Sequence, residues 1–217
     1  MAPRDPILGL NEAFNADTRD FKVNLGVGVY FNDEGKIPLL AAVKAAEKVR
    51  LETQPPRGYQ AIEGNPAYNA GVQNLLFGAG SDLTAAGRVV TAQALGGTGA
   101  LKIGGDFLQR LNPNATVYIS NPSWENHRAI FESAGFKVED YPYYDATTRG
   151  VDFAAMKAFL LGLQPGSVII LHACCHNPTG ADLSDAQWGE VVEACRERGL
   201  VPFLDMAYQG FAEGIEA

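Results

Sequence analysis

The sequence predicts an α/β fold, a three-layer sandwich with helices on both faces of a mostly parallel sheet, preceded by an N-terminal arm and part of a small domain. Three observations carry this expectation. From residue 88 onward, apolar runs alternate with segments of helical composition, the pattern of βαβ units. The runs are continuous rather than alternating, as in Ser167-Val168-Ile169-Ile170-Leu171, so both faces of each strand are buried. Polar turns follow several of these runs, and ligands of parallel sheets bind beyond the carboxyl ends of the strands.

The elements follow in order. The first 87 residues predict an extended arm (Asp5 to Leu10), a short strand (Lys22 to Tyr30) and a helix (Leu39 to Thr53). A turn-rich connector, Gln54-Pro55-Pro56-Arg57-Gly58-Tyr59, leads to a helix from Asn65 to Phe77. Arg88 to Ala92 reads as a strand, and Gly96-Gly97-Thr98-Gly99 opens the helical run Ala100 to Leu111. Thr116 to Ser120 is the next strand, ended by Asn121-Pro122. Glu125 to Ala134 is helical and Gly135 stops it. Lys137 to Tyr141 is extended, Val151 to Gly162 helical, and Ser167 to Cys175 a long apolar strand. Leu183 to Arg198 is a helix with Ser184 as N-cap and Gly199 as its stop, and Leu200 to Asp205 is the last strand.

Composition bounds the function. A net charge of −8 argues against a general nucleic-acid binder. No run of about 18 apolar residues predicts a membrane span. The opening Met1-Ala2-Pro3-Arg4-Asp5 lacks the apolar core of a secretory signal. Three cysteines, two adjacent at Cys174 and Cys175, make no disulfide framework. The expectation is a reduced, cytoplasmic protein.

Four constellations could carry chemistry. Gly97 and Thr98 lie at a strand-to-helix turn, where unpaired N–H groups and a partial positive charge suit a phosphate. The turn fits neither the dinucleotide fingerprint, because Lys102 stands at the last glycine, nor a Walker loop; most glycine-rich turns only turn. Trp124 leaves a strand end and could stack on a flat aromatic ligand, although core packing explains an isolated tryptophan as well. His172, Cys174 and His176 share one side of a strand, but structural zinc needs ligands at loop-like spacings, so no metal is expected. Asp205 ends the apolar run Val201-Pro202-Phe203-Leu204. A half-buried carboxylate needs a positive or donating partner; a structural cap is one reading and a protonated pyridine nitrogen another, with His172 or His127 orienting the acid from behind. Asn121-Pro122 and Asn177-Pro178 are candidates for cis peptides.

Five blocks resemble, in order and spacing, the aspartate/aromatic amino acid aminotransferases, the class I, fold type I family that uses pyridoxal 5'-phosphate. They are Asn24 to Tyr30, Gly96 to Leu101, Ser120 to His127, Cys174 to Gly180, and Asp205 to Phe211. The resemblance spans essentially the whole chain and implies these roles. Gly97 and Thr98 hold the cofactor phosphate. Trp124 stacks on the pyridine ring, and Asn177 and Tyr208 bond its hydroxyl. Asp205 pairs with the ring nitrogen, backed by His127 and His172. Gly28 and Asn177 face the substrate. Tyr59 reaches the cofactor phosphate of a neighbouring subunit in a homodimer with shared active sites. Asp205, Tyr208 and Trp124 are the implied catalytic groups. The implied reaction moves an amino group from an aromatic L-amino acid or aspartate to a 2-oxo acid. Trp124 to His127 and Tyr141 to Asp145 look more like the aromatic branch.

The resemblance also implies a Schiff-base lysine in a later Ser-x-x-Lys block, and none of the seven lysines here occupies it. The chain is therefore expected to be the N-terminal half of an enzyme about twice its length. Residues 1–37 would form the arm and first part of a small domain, and 38–217 the N-terminal portion of the large cofactor-binding domain, with an uncovered sheet edge. The alternative is a non-catalytic protein or fragment that binds pyridoxal phosphate. A nicotinamide or flavin oxidoreductase is disfavoured by the missing dinucleotide glycines.

Overall fold

The protein is seen in a computed structural model that describes residues 6–26 and 28–215. It divides into two compact units, Met1–Tyr59 and Gln60–Ala217. No helix among the described residues is long and apolar enough to cross a membrane.

The first unit contains helices α1 (Pro6–Ala16) and α2 (Ala41–Thr53). Residues 6–10, expected to be an extended arm, belong to α1, and Asp5 lies outside the described residues. Pro6 stands in the first turn, where its missing N–H costs nothing. The expected strand from Lys22 to Tyr30 is absent among the described residues of that span. Its polar groups bond back to α1 instead. The Lys22 ammonium donates to the carbonyls of Phe14 and Asp17, both at 2.7 Å, where a helix C-terminus favours a cation. Asn24 Nδ2 donates to Asn11 Oδ1 at 2.7 Å. Gly28 is exposed, and so is Tyr59.

The second unit begins with α3 (Pro66–Phe77), whose N-cap Asn65 accepts from the N–H groups of Ala67 and Tyr68, and the short α4 (Asp82–Ala85). Residues 88–92, expected as a strand, pair with none of the described strands. Side-chain amides of α3 take up their polar groups: Asn69 Nδ2 donates to the Thr91 carbonyl (3.1 Å) and Gln73 Nε2 to Thr91 Oγ1 (2.9 Å).

Helix α5 (Gly96–Leu111) absorbs the glycine-rich turn into its first residues. Then follow β1 (Thr116–Asn121), α6 (Glu125–Ser133) and β2 (Lys137–Pro142). A two-stranded antiparallel pair, β3 (Tyr144–Asp145) and β4 (Gly150–Val151), was not expected from sequence because each strand is only two residues long. Helix α7 (Phe153–Gly162), β5 (Val168–His172), α8 (Asp185–Arg198) and β6 (Val201–Asp205) complete the unit. Ser184 and Gln187 form a reciprocal capping box on α8, and Gly199 ends it in the left-handed region at φ 60°.

The main sheet runs β2-β1-β5-β6 with every pair parallel. Strand β5 shows why its apolar run is continuous. Ile169 and Leu171 face one core with Met156, Leu160 and Val191 of α7 and α8. Val168 and Ile170 face the other with Leu101, Ile130 and Phe131 of α5 and α6. Two residues per strand repeat thus feed two cores, and the three-layer expectation holds.

Helix α5 lies close against β6 because Gly104 has no side chain: a Cβ there would stand 2.7 Å from the Phe203 ring. We expect Gly104→Val to cost about 1–3 kcal/mol through overpacking, read as a lower urea midpoint at unchanged slope. An unchanged midpoint would show that Phe203 can yield.

Candidate active site

Parallel strands bring the polar turns after β1, β5 and β6 to one edge of the sheet. The β1 turn carries Ser123 and Trp124 and the β5 turn carries Asn177. Strand β6 ends in Asp205, and the turn after it carries Tyr208. His172 and Asp205 are register partners on β5 and β6. Both Asn121-Pro122 and Asn177-Pro178 are cis.

Helix α5 delivers its N-terminus to the same edge. At its far end, Asn112 Nδ2 donates to the carbonyl of Gly166, just before β5 begins. Midway, Gly104 rests on Phe203. Six residues nearer the start, at ~1.5 Å per residue, Thr98 therefore lies about 9 Å further toward the carboxyl edge. No side chain caps this helix start, and space around Gly97 is open. Gly97 and Thr98 therefore present N–H groups without intrahelical partners, backed by a partial positive charge. Gly96 reaches this entry in the left-handed region, φ 67°.

Behind the edge runs a string of hydrogen bonds whose directions can be deduced. The Asn177 N–H donates to His172 Nδ1 at 3.2 Å. His172 Nδ1 is thus an acceptor, and its proton sits on Nε2, 3.4 Å from Ser123 Oγ, the longest link. Ser123 has one proton to give, and it goes to His127 Nδ1 at 2.8 Å. His127 Nε2–H then donates to Asp205 Oδ2 at 2.8 Å. His127 is fully buried and its ring packs edge-on against both Trp124 and His172, with centroids 5.4 and 5.0 Å away.

Electrostatics agree with these proton positions. The hydrogen bond from His127 holds the Asp205 carboxyl below the ordinary carboxylate range, against the opposing pull of burial. The Asp205 side chain remains 19% exposed, so the carboxylate is not sealed in the core. Burial, then the nearby His127, lowers His172 to about 4. Neutral imidazole at His172 is what lets Nδ1 accept.

The structure therefore brings Asp205, His127, His172, Trp124 and Asn177 into one connected group. Gly97 and Thr98 lie at the helix start directed to that edge, and Tyr208 is half-buried in the β6 turn, its carbonyl 3.5 Å from Cys174 Sγ. Gly28 and Tyr59 belong to the first unit. Sequence reading missed Ser123, the link between the two histidines. Its spacing of four from His127, across a helix start, was the available signal. It also missed Asp182, whose two oxygens accept from the N–H groups of Cys175 and His176 at 2.7 and 2.8 Å.

A family model described as aminotransferase class I and II matches residues 21–217. The chain belongs to this family. It is 65% identical over 216 residues to an aspartate aminotransferase of Pseudomonas aeruginosa, covering 100% of this chain and 54% of that protein. It is 51% identical over 214 residues to the aromatic-amino-acid aminotransferase of Escherichia coli K12, covering 98% and 54%. Among solved structures, the aromatic-amino-acid aminotransferase of Burkholderia pseudomallei, covalently bound to pyridoxal phosphate, superposes with a TM-score of 0.92 at 69% identity, over 100% of this chain and 54% of that one. The chain spans about half the length of these relatives. Aminotransferases of both the aspartate and the aromatic kind are thus its relatives, and the three-layer parallel fold is theirs.

A pH dependence follows from the buried histidines. Burial lowers His172 to about 4 and His176 to about 3, from an ordinary value of 6.5. As pH falls, the unfolded chain takes up these protons first. Their stabilisation is complete above about pH 6.5 and is lost progressively toward pH 4 and below. Denaturation midpoints followed from pH 7 to pH 4 should fall, and His172→Phe should flatten that slope by about one proton. An equal slope in the variant would show that His172 titrates normally.

Proposed function

We propose that this chain forms the N-terminal half of a pyridoxal-phosphate-dependent aminotransferase. Its substrates would be aspartate or aromatic L-amino acids, with a 2-oxo acid as acceptor. The observation that carries this reading is Asp205, an ionised carboxylate at a strand end, fixed by a buried histidine that is itself fixed by Ser123 and His172.

The residues present fit pyridoxal phosphate. An anionic oxygen pair suits a protonated ring nitrogen, an uncapped glycine-rich helix start suits a phosphate, and an indole packed on the histidine that holds the acid suits a flat ring. When bound, the group supplies an electron sink for negative charge at the substrate α-carbon. Asp205 would set its negative charge against the ring nitrogen, and the His127 N–H holds the carboxylate in one orientation. Gly97 and Thr98 would grip the phosphate with backbone N–H groups. Trp124 would cover the ring and exclude water. Asn177 and Tyr208 would bond the ring hydroxyl, and Asn177 also the substrate carboxylate. The Asn177 backbone is anchored through its own N–H to His172. Gly28 would line the substrate's side of the site. The lysine that moves the α-proton in this family is not among this chain's seven.

Three coarser features belong to the same proposal. Residues 1–37 are assigned to the arm and small domain, and 38–217 to the large domain. The enzyme is a homodimer in which Tyr59, fully exposed here, completes the partner subunit's site. Its location is cytoplasmic, in keeping with three free cysteines.

In the full-length protein, aspartate or tyrosine should change the cofactor absorbance; no change with either would end the reading. Asp205→Asn should keep the cofactor yet lose about 10²–10³ in kcat, the scale of removing one preorganised charge interaction. Wild-type turnover in that variant would refute the role given to Asp205.

A further inference from the structure

A second string of hydrogen bonds runs beside the first and has no part in the chemistry proposed so far. His176 is 2% exposed and both its ring nitrogens are engaged. Ser120 Oγ donates to the Pro122 carbonyl at 2.8 Å, which uses its only proton. Its oxygen, 2.9 Å from His176 Nε2, must therefore accept, so Nε2 carries hydrogen. On the other side, Thr179 Oγ1 accepts from the Ala181 N–H at 3.1 Å and gives its own proton to His176 Nδ1 at 2.8 Å. The direction is fixed from end to end: Ala181, Thr179, His176, Ser120, Pro122. The ring is stacked on Tyr143 (4.1 Å, 14°), whose hydroxyl donates to the Ala181 carbonyl at 2.7 Å. It also lies 4.1 Å from the His172 ring, and Asp182 holds its backbone N–H.

This string joins the turn that carries Ser123 and Trp124 to the turn that carries Asn177. We propose that His176 is a positioning residue that locks these two turns to each other, so that Trp124 and Asn177 keep one mutual placement. The inference rests on the aminotransferase reading only for its effect on turnover; the coupling between turns stands on the hydrogen bonds alone. His127 fixes the acid on β6, whereas His176 fixes the two flanking turns, and neither string contains a residue of the other. The groups around the ring are His172, His127, Tyr143 and Asp182. With two histidines close by and burial on all sides, the ring stays neutral, the form in which one nitrogen can donate while the other accepts.

The test uses the full-length holoenzyme. Long-range nitrogen-15 spectra should show His176 as the Nε2–H tautomer from pH 5 to 8. The other tautomer, or a normal titration, would overturn the proposal. Fluorotryptophan labelling gives a second readout, with the Trp124 resonance assigned by its loss in Trp124→Phe. His176→Phe keeps the stack on Tyr143 but strands the Ser120 and Thr179 hydroxyls. It should shift the Trp124 resonance and lower kcat/KM about tenfold, the scale of one or two lost buried hydrogen bonds. His176→Gln, which can still donate toward Ser120, should restore the resonance and come within about twofold of wild type. Ser120→Ala should act like His176→Phe, and the double variant should be no worse than either alone. An unmoved resonance, a Gln variant as poor as Phe, or losses that multiply would each refute it. Should His176→Phe fail to fold, Ser120→Ala and the Gln variant decide the matter. A wild-type protein without transamination would end the functional reading, while the resonance shifts would still judge His176.

Discussion

The bond from His127 Nε2 to Asp205 Oδ2 is the constraint on which the site depends. A carboxylate at the end of a buried strand is unfavourable unless something donates to it. Here the donor is itself fully buried and takes its orientation from Ser123. The outcome is an acid held in its ionised form, because the hydrogen bond from His127 favours the carboxylate against the opposing pull of burial.

The sheet makes this arrangement affordable in packing terms. All four strands run the same way, so every turn that follows a strand opens on the same edge. The interior beneath is conventional: Val168 to Leu171 are buried on both faces and the helices close over them. The polar strings gather at the carboxyl ends of the strands, in the turns beyond them and, through His127, in the first turn of α6. Desolvation there is deep enough to hold His172 and His176 neutral, and shallow enough to leave Asp205 partly open.

The turns themselves are cross-braced rather than self-supporting. The β5 turn is held by Asp182 from below, by His172 through the Asn177 N–H, and by Thr179 through His176. The β1 turn is held by Ser120 and Ser123. Such networks are rigid when complete and costly when interrupted.

Local sequence determined the layered architecture, because continuous apolar runs separated by helical segments admit few other solutions. It also determined helix limits where capping residues mark the termini, through the side chains of Asn65 and Ser184 and the left-handed backbone of Gly199. It placed Trp124, Asn177 and Asp205 at strand ends for the same reason. It failed where contacts with neighbouring helices decide the conformation: residues 22–30 and 88–92 have strand composition, yet Lys22 and Asn24 bond groups in and just after α1, and the amides of Asn69 and Gln73 bond Thr91. Only the tertiary structure decided that His127 rather than His172 bonds the acid, that Ser123 joins the two rings, and that His176 spans two turns 56 residues apart in sequence. The physical reason is that a hydrogen bond needs about 3 Å and a direction, and residues distant in the chain acquire both only after the strands have set their register.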